Sequence, residues 1–201
     1  MGRRTLRSPA RRCPQFLPTR DDPGVGRLEI WPLDPAEELL HGLLRELFEN
    51  HWQDLTFGPL IQGAAWEITV RNPPKKIVLL DGYLTVDFGD VHFHVCIGAH
   101  REEPDVPTDP ELAQHRRTQR AEFMRRLNRD GTPDLWALRL YNGKDEQQMT
   151  ILLPNPFVSK DLTSLEPPDW SRLGLWDHLR RKYLGIEPDE RDRSGQRMIY
   201  P

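Results

Sequence analysis

The segment KKIVLLDGYLTVDFGDVHFHVCIG, residues 75–98, constrains the fold more than any other part of the chain. Apolar and polar residues alternate along three short runs, which is typical of strands with one buried face. Asp81-Gly82 favours a type I′ hairpin turn, and Gly89-Asp90 suits a two-residue turn that begins with glycine. The segment therefore predicts an antiparallel meander of three strands.

The second turn also predicts which residues of the meander share a face. Side chains alternate between the two faces of a strand, and a two-residue turn fixes the pairing of its strands. The predicted pairs of the polar face are Tyr83 with Cys96, Thr85 with His94 and Asp87 with His92. The residues of the other face are apolar and are expected in the core: Leu84, Val86, Phe88, Val91, Phe93 and Val95.

Two segments that flank the meander have the residue pattern of amphipathic helices. LDPAEELLHGLLRELFENHW predicts a helix capped by Asp34, with Pro35 at its first position. TDPELAQHRRTQRAEFMRRLNRDG predicts a second helix, which is capped by Asp109 and ends before Gly131. DWSRLGLWDHLRRKYLG predicts a short third helix.

Further strands complete the predicted fold. AAWEITV predicts one strand, and DLWALRLYNGKDEQQMTILLP predicts a hairpin around Asn142-Gly143. The order of elements favours the α+β class: a single domain over residues 27–186, with an antiparallel β-meander sheet and helices packed on one face or end. Residues 187–201 are interpreted as a polar C-terminal tail.

Residues 1–26 are rich in arginine, lack periodicity and predict a disordered tail. A start codon assigned too early and an Arg-rich targeting peptide are alternatives. No apolar run approaches the ~18 residues of a membrane span, and two cysteines do not suggest a disulfide framework. We therefore expect a cytoplasmic protein without a membrane partner. The net charge of −3 gives no reason to expect a nucleic-acid partner.

The polar face of the meander is a candidate metal site. His92, His94 and Cys96 lie at alternate positions of one strand, so their side chains project in one direction. Two imidazoles and a thiolate suit zinc, copper or cobalt better than magnesium or calcium. His100 is a candidate fourth ligand. The candidates for orienting the ligands are Asp87 and His115.

Two other interpretations of this face stay open. It is either an ordinary outer face with hydrogen-bonded histidines, or the place of a Cys96 nucleophile activated by a neighbouring histidine. The sequence contains no nucleophile elbow, no HExxH motif and no dinucleotide-binding fingerprint. Whether the protein is an enzyme, and with which catalytic residues, is therefore left open.

The predicted second helix suggests a different function. It carries several arginines, of which Arg116 and Arg120 are the candidate anion-binding residues. Guanidinium groups bind carboxylates and phosphates through paired hydrogen bonds. The alternative function is therefore a non-catalytic interaction domain that binds an anionic ligand or partner through this helix.

The segments DVHFHVCIGAH, HRRTQRAEFMRRL and LPNPF together resemble an uncharacterised bacterial family with an HFH-x-C-I-G signature. The resemblance covers about residues 27–160. It implies a link to gene neighbourhoods for cobalamin or other tetrapyrrole synthesis, and hence a small anionic or tetrapyrrole ligand. It implies no activity and no catalytic residue.

Overall fold

The computed structural model describes residues 17–61, 63–99 and 108–197. The strands are β1 (Leu17–Asp22), β2 (Gly26–Leu33), β3 (Thr56–Gly58), β4 (Leu60–Ile61), β5 (Ala64–Ala65), β6 (Lys76–Leu80), β7 (Tyr83–Asp87), β8 (His92–Cys96), β9 (Arg120–Leu127), β10 (Pro133–Tyr141) and β11 (Gln147–Leu152). The α-helices are α1 (Glu37–Asn50), α2 (Pro110–Arg116) and α3 (Gly174–Leu184). Short 3₁₀ helices lie at Trp52–Asp54, Trp170–Leu173 and Glu190–Arg193. The predicted α+β class is confirmed.

The strands form one large and two small antiparallel sheets. Six strands pair in the order β1-β2-β9-β10-β11-β3, and β6, β7 and β8 form a separate three-stranded sheet. Strands β4 and β5 pair only with each other. The predicted strand AAWEITV is shorter than expected, because only Ala64–Ala65 and an isolated bridge at Ile68 form there.

The three-stranded sheet has the predicted register. Tyr83 pairs with Cys96, Thr85 with His94 and Asp87 with His92. At the turn, the backbone N–H of Phe88 donates to the carbonyl of Val91 over 2.9 Å. The apolar face of the sheet shares one core with α1, whose buried residues are Leu40, Leu43, Leu44, Leu47 and Phe48. The polar face is therefore turned away from the core.

Helix α1 begins later than predicted. Its first residue is Glu37, and Ala36 occupies the N-cap position without a side-chain cap. Asp34 instead accepts a hydrogen bond from the backbone N–H of Ala36 over 3.0 Å. The aspartate closes a turn before the helix, so its prediction as the N-cap was wrong.

The prediction of a long second helix was also wrong. Asp109 does cap α2 by accepting from the N–H of Leu112, but α2 ends at Arg116 and the chain continues as β9. Strand β9 lies between β2 and β10, so both of its edges are paired. Its arginines Arg125 and Arg126 are buried in ion pairs. A segment so rich in charged residues of both signs resembles a solvent-exposed helix in sequence. Gly131 belongs to the β9–β10 turn, where its N–H donates to the carbonyl of Asn128.

The ordered structure extends beyond the predicted domain limits at both ends. Strand β1 lies entirely before position 27, within the predicted N-terminal tail, and pairs with β2. At the other end, Asp192 lies in the 3₁₀ helix Glu190–Arg193 and is fully buried. None of the helices in the described ranges is long and apolar enough to span a membrane.

Candidate functional site

The polar face of the three-stranded sheet carries three rows of side chains. The rows across β6, β7 and β8 are Lys76–Asp87–His92, Val78–Thr85–His94 and Leu80–Tyr83–Cys96. Both histidines are exposed, and Leu80 is 73% exposed. The surface therefore combines two accessible imidazoles with accessible apolar side chains.

His94 is held in one orientation by its cross-strand neighbour. The hydroxyl oxygen of Thr85 lies 2.7 Å from Nδ1 of His94. Among the described residues no hydrogen-bond partner contacts Nε2 of His94, so this nitrogen is available to a ligand. The ring of His92 stands next to it, with 5.3 Å between the ring centroids and an interplanar angle of 75°. Metal-binding histidines are usually oriented by a hydrogen bond that their second ring nitrogen donates, as Nδ1 of His94 can donate to the Thr85 hydroxyl.

Cys96 belongs to the same face of the sheet but is buried. Only 4% of the residue is exposed, and its Sγ lies 3.6 Å from the carbonyl oxygen of Gly98, to which it donates. The N–H and the hydroxyl of Thr118 both donate to the carbonyl of Cys96, each over 2.8 Å. Burial raises the pKa of the Cys96 thiol, which disfavours the thiolate that a metal would need. The role of Cys96 as a ligand stays a prediction.

The residues predicted to orient the ligands have other partners. Oδ1 of Asp87 accepts a hydrogen bond from the N–H of Gly89 over 2.7 Å and so supports the hairpin turn. Nε2 of His115 lies 2.8 Å from Oε2 of Glu146. His100 lies outside the described residues. Within the described ranges, no group of three or more His, Cys, Asp or Glu residues could hold a metal ion.

The two predicted anion-binding arginines differ in their surroundings. Arg120 forms ion pairs with Asp145 and Glu122, and its guanidinium lies 3.4 Å from the ring centroid of Tyr141. Arg116 is exposed, and its guanidinium has no hydrogen-bond or ion-pair partner among the described residues. Arg116 is therefore available to a ligand, whereas Arg120 is occupied.

A buried ionic cluster around Asp192 was not predicted. Its carboxylate accepts hydrogen bonds from the guanidinium groups of Arg125 (2.7 Å) and Arg180 (3.0 Å). It also accepts from the indoles of Trp136 (2.8 Å) and Trp176 (2.9 Å). The cluster joins the C-terminal segment to the large sheet and to α3. Its partners lie 12 to 67 positions from Asp192, so no local sequence pattern could reveal it.

A second polar cluster, around Glu46, joins α1 to α3. Its carboxylate accepts hydrogen bonds from His178 Nε2 (2.7 Å), Lys182 Nζ (2.7 Å) and Tyr183 Oη (2.5 Å). Burial raises the pKa of Glu46, but the hydrogen bonds from Lys182, Tyr183 and His178 outweigh it and lower the pKa to about 2. The polar partners of Glu46 recur on one side of α3, which is the only sequence signal for this cluster.

The fold and the family can be compared with known proteins. The structure is similar to the solved structure entitled "Crystal structure of ChuX", with a TM-score of 0.50 over 79% of this chain and 78% of that chain. The sequences are 9% identical, so this likeness shows the fold alone. No curated protein matches the sequence. The model of a family of unknown function, DUF7676, matches residues 18–185, and the chain therefore belongs to the DUF7676 family.

Proposed function

We propose that this protein binds a metal-centred tetrapyrrole on the polar face of the three-stranded sheet, with His94 as the axial ligand of the metal. One observation carries the proposal: the Thr85 hydroxyl holds Nδ1 of the exposed His94, and Nε2 has no hydrogen-bond partner among the described residues. A histidine whose second nitrogen is hydrogen-bonded is the usual protein ligand of a porphyrin metal.

The number of available donors favours a tetrapyrrole over a bare ion. A bare zinc, copper or cobalt ion needs three or four protein donors, and the described residues offer no such group. A tetrapyrrole supplies four nitrogens of its own, so one imidazole completes a useful site. The bare-metal site of His92, His94, Cys96 and His100 remains a prediction, and it would require the buried Cys96 to reach the ion.

The surface around His94 suits a flat apolar ligand. Val78 and Thr85 lie in the same row as His94, and Leu80 is exposed in the next row. A macrocycle that lies on the sheet would cover these side chains and remove apolar surface from water. The resemblance based on the HFH-x-C-I-G segment also implies a tetrapyrrole.

The two histidines have different roles in this arrangement. His92 and His94 project from the same side of β8, so one macrocycle lying on the sheet has only one of them as an axial ligand. A contact with the Thr85 hydroxyl distinguishes His94: with the ring proton on Nδ1 donated to Oγ1 of Thr85, the lone pair of Nε2 is the one offered to a metal. His92 is then a neighbour beneath the macrocycle.

The alternative function depended on a long Arg-rich helix, of which only the part up to Arg116 forms. Arg125 and Arg126 lie on strand β9 and are buried in ion pairs with Glu29, Asp192 and Asp134. These arginines cannot contact an external anion without breaking buried pairs, which is strongly destabilising.

Titration with iron(III) protoporphyrin IX tests the proposal. We expect saturable binding with a shift of the Soret band that is characteristic of histidine ligation. The His94→Ala variant should lose this shift, whereas the control variant His41→Ala should keep it, because His41 lies on α1 on the other side of the sheet. An unshifted band in the wild type, or an unchanged titration in His94→Ala, would refute the proposal. Parallel titrations with zinc, copper and cobalt salts test the bare-metal prediction.

A further inference from the structure

We propose that the ligand carries carboxylate groups and that Arg116 and Arg117 receive them at the Cys96 end of the polar face. This inference rests on the proposed function and narrows its ligand class. It favours an anionic porphyrin-type ligand over a tetrapyrrole whose side chains are neutral amides.

The chain after α2 places the two arginines beside the polar face. Thr118 donates two hydrogen bonds to the carbonyl of Cys96, the last residue of β8. Arg116 and Arg117 directly precede Thr118, and the carbonyl of Arg116 accepts from the side chain of Gln148 over 2.8 Å. The backbone at both arginines is therefore fixed next to the row Leu80–Tyr83–Cys96.

Both arginine side chains are long enough to reach the site from this position, because Thr118, directly after them, is hydrogen-bonded to Cys96. Cys96 lies two positions after His94, which is roughly 7 Å along a strand. The peripheral acid groups of a tetrapyrrole lie at a comparable distance from its metal. With the metal at His94, these groups would therefore lie near Cys96 and the two arginines beside it.

Among the described residues, neither guanidinium has a hydrogen-bond or ion-pair partner. Arg120, Arg126 and Arg139, by contrast, are all paired with carboxylates. Two unpaired guanidinium groups beside a binding surface suit bidentate contacts with carboxylates.

The charges on the face also give the ligand a direction. At the far end, Lys76 shares its row with Asp87, so an acid lies beside this cation. At the near end, the turn between β6 and β7 carries one acid, Asp81, and the chain beside Cys96 carries two arginines. The acid edge of the ligand is therefore expected to point to the Cys96 end.

The test compares iron(III) protoporphyrin IX with its dimethyl ester, which has no free carboxylate. The probes are added to the wild type, to an Arg116→Glu, Arg117→Glu double variant and to an Arg116→Gln, Arg117→Gln double variant. Arg129→Glu is the matched control, because Arg129 is exposed in the β9–β10 turn at the other end of β9. Circular dichroism verifies that each variant is folded.

We expect the free acid to bind the Glu double variant about tenfold or more weakly than the wild type, because charge-assisted hydrogen bonds are lost. The Gln variant should show a smaller loss, and Arg129→Glu should show none. The ester should bind all four proteins alike. Equal binding of acid and ester, or an unchanged affinity of both double variants, would overturn this inference while histidine ligation still supported the proposed function. A wild type that binds neither probe would overturn both.

Discussion

Thr85 Oγ1 lies 2.7 Å from Nδ1 of His94, across the paired strands β7 and β8. The two residues face each other because the Gly89-Asp90 turn sets the register of the hairpin. The hydroxyl fixes an exposed ring that would otherwise rotate, and Nε2 remains available. Because of this contact we propose His94, and not His92, as the metal ligand.

Removal of the Thr85 hydroxyl should weaken the binding of the tetrapyrrole without unfolding the protein. For Thr85→Val we expect an affinity for iron(III) protoporphyrin IX that is about tenfold lower, because the ring of His94 loses its fixed orientation. The loss of one exposed hydrogen bond should change the free energy of unfolding by no more than about 1 kcal/mol. Thr85→Ser should restore the affinity. A Thr85→Val variant with wild-type affinity would show that this hydrogen bond does not support ligation.

Variants of Cys96 distinguish the proposed tetrapyrrole site from the predicted bare-metal site, in which Cys96 is a ligand. If Cys96 is only a buried packing residue, Cys96→Ala should bind iron(III) protoporphyrin IX like the wild type and lose about 1 kcal/mol of stability. Alkylation of the wild-type thiol should be slow both with and without ligand, because burial restricts access and raises the pKa of the thiol. Protection of the thiol by added zinc, copper or cobalt, with weaker metal binding in Cys96→Ser, would instead support the predicted role of Cys96 as a ligand.

The three-stranded meander could be predicted because the residues that determine it lie within one short segment of the chain. Turn-forming dipeptides and strict alternation fix both the strands and their register within residues 75–98. The polar face that contains His92 and His94 followed directly from that register. The burial of Cys96 did not follow, because its surroundings include residues distant in sequence, such as Thr118, 22 positions away.

Strand β9 was mistaken for a helix because tertiary pairing overrides local propensity there. Arg125 is stabilised by Glu29, 96 positions away, and by Asp192, 67 positions away. Buried arginines are rare unless they are paired, and the sequence does not show these partners. The same long-range pairing explains why residues 187–197 were interpreted as a tail although they contain a buried anchor.

The Asp192 cluster should contribute strongly to stability. For Asp192→Asn we expect a loss of about 3 kcal/mol in the free energy of unfolding, because the buried Arg180 would lose its carboxylate partner and the buried Arg125 would lose one of its own. Urea unfolding followed by tryptophan fluorescence measures this loss. Asp161→Asn is the control, since Asp161 is exposed and should give a change near zero. A loss below about 1 kcal/mol for Asp192→Asn would contradict the role of Asp192 as an anchor.

Glu46 should make the stability depend on pH in a defined direction. Its pKa is lowered from 4.5 to about 2 in the folded protein, so its ionised form stabilises the fold above pH 4.5. This contribution is lost as the pH falls from 4.5 towards 2. We expect Glu46→Gln to lower the free energy of unfolding by about 2 kcal/mol at pH 7. This value is smaller than the full pKa shift implies, because the partners His178 and Lys182 are half exposed and solvent screens their charges.

The measurement for Glu46 is the difference in unfolding free energy between the wild type and Glu46→Gln at pH 7 and at pH 3. The difference should shrink at pH 3, where the unfolded wild type gains a proton that the folded protein does not. Glu49→Gln, which alters an exposed i,i+4 pair on the same helix, should show little change at either pH. A difference for Glu46→Gln that stays constant between the two pH values would contradict the lowered pKa.

The most direct test of the central claim is the electron paramagnetic resonance spectrum of the protein reconstituted with cobalt(II) protoporphyrin IX. If His94 Nε2 binds the metal, each cobalt line should be split into a triplet by one axial ¹⁴N nucleus, and into a doublet when the histidines are labelled with ¹⁵N. The splitting should persist in His92→Ala and His41→Ala and disappear in His94→Ala. A wild-type spectrum without axial nitrogen splitting, or a splitting that survives in His94→Ala, would contradict ligation by His94.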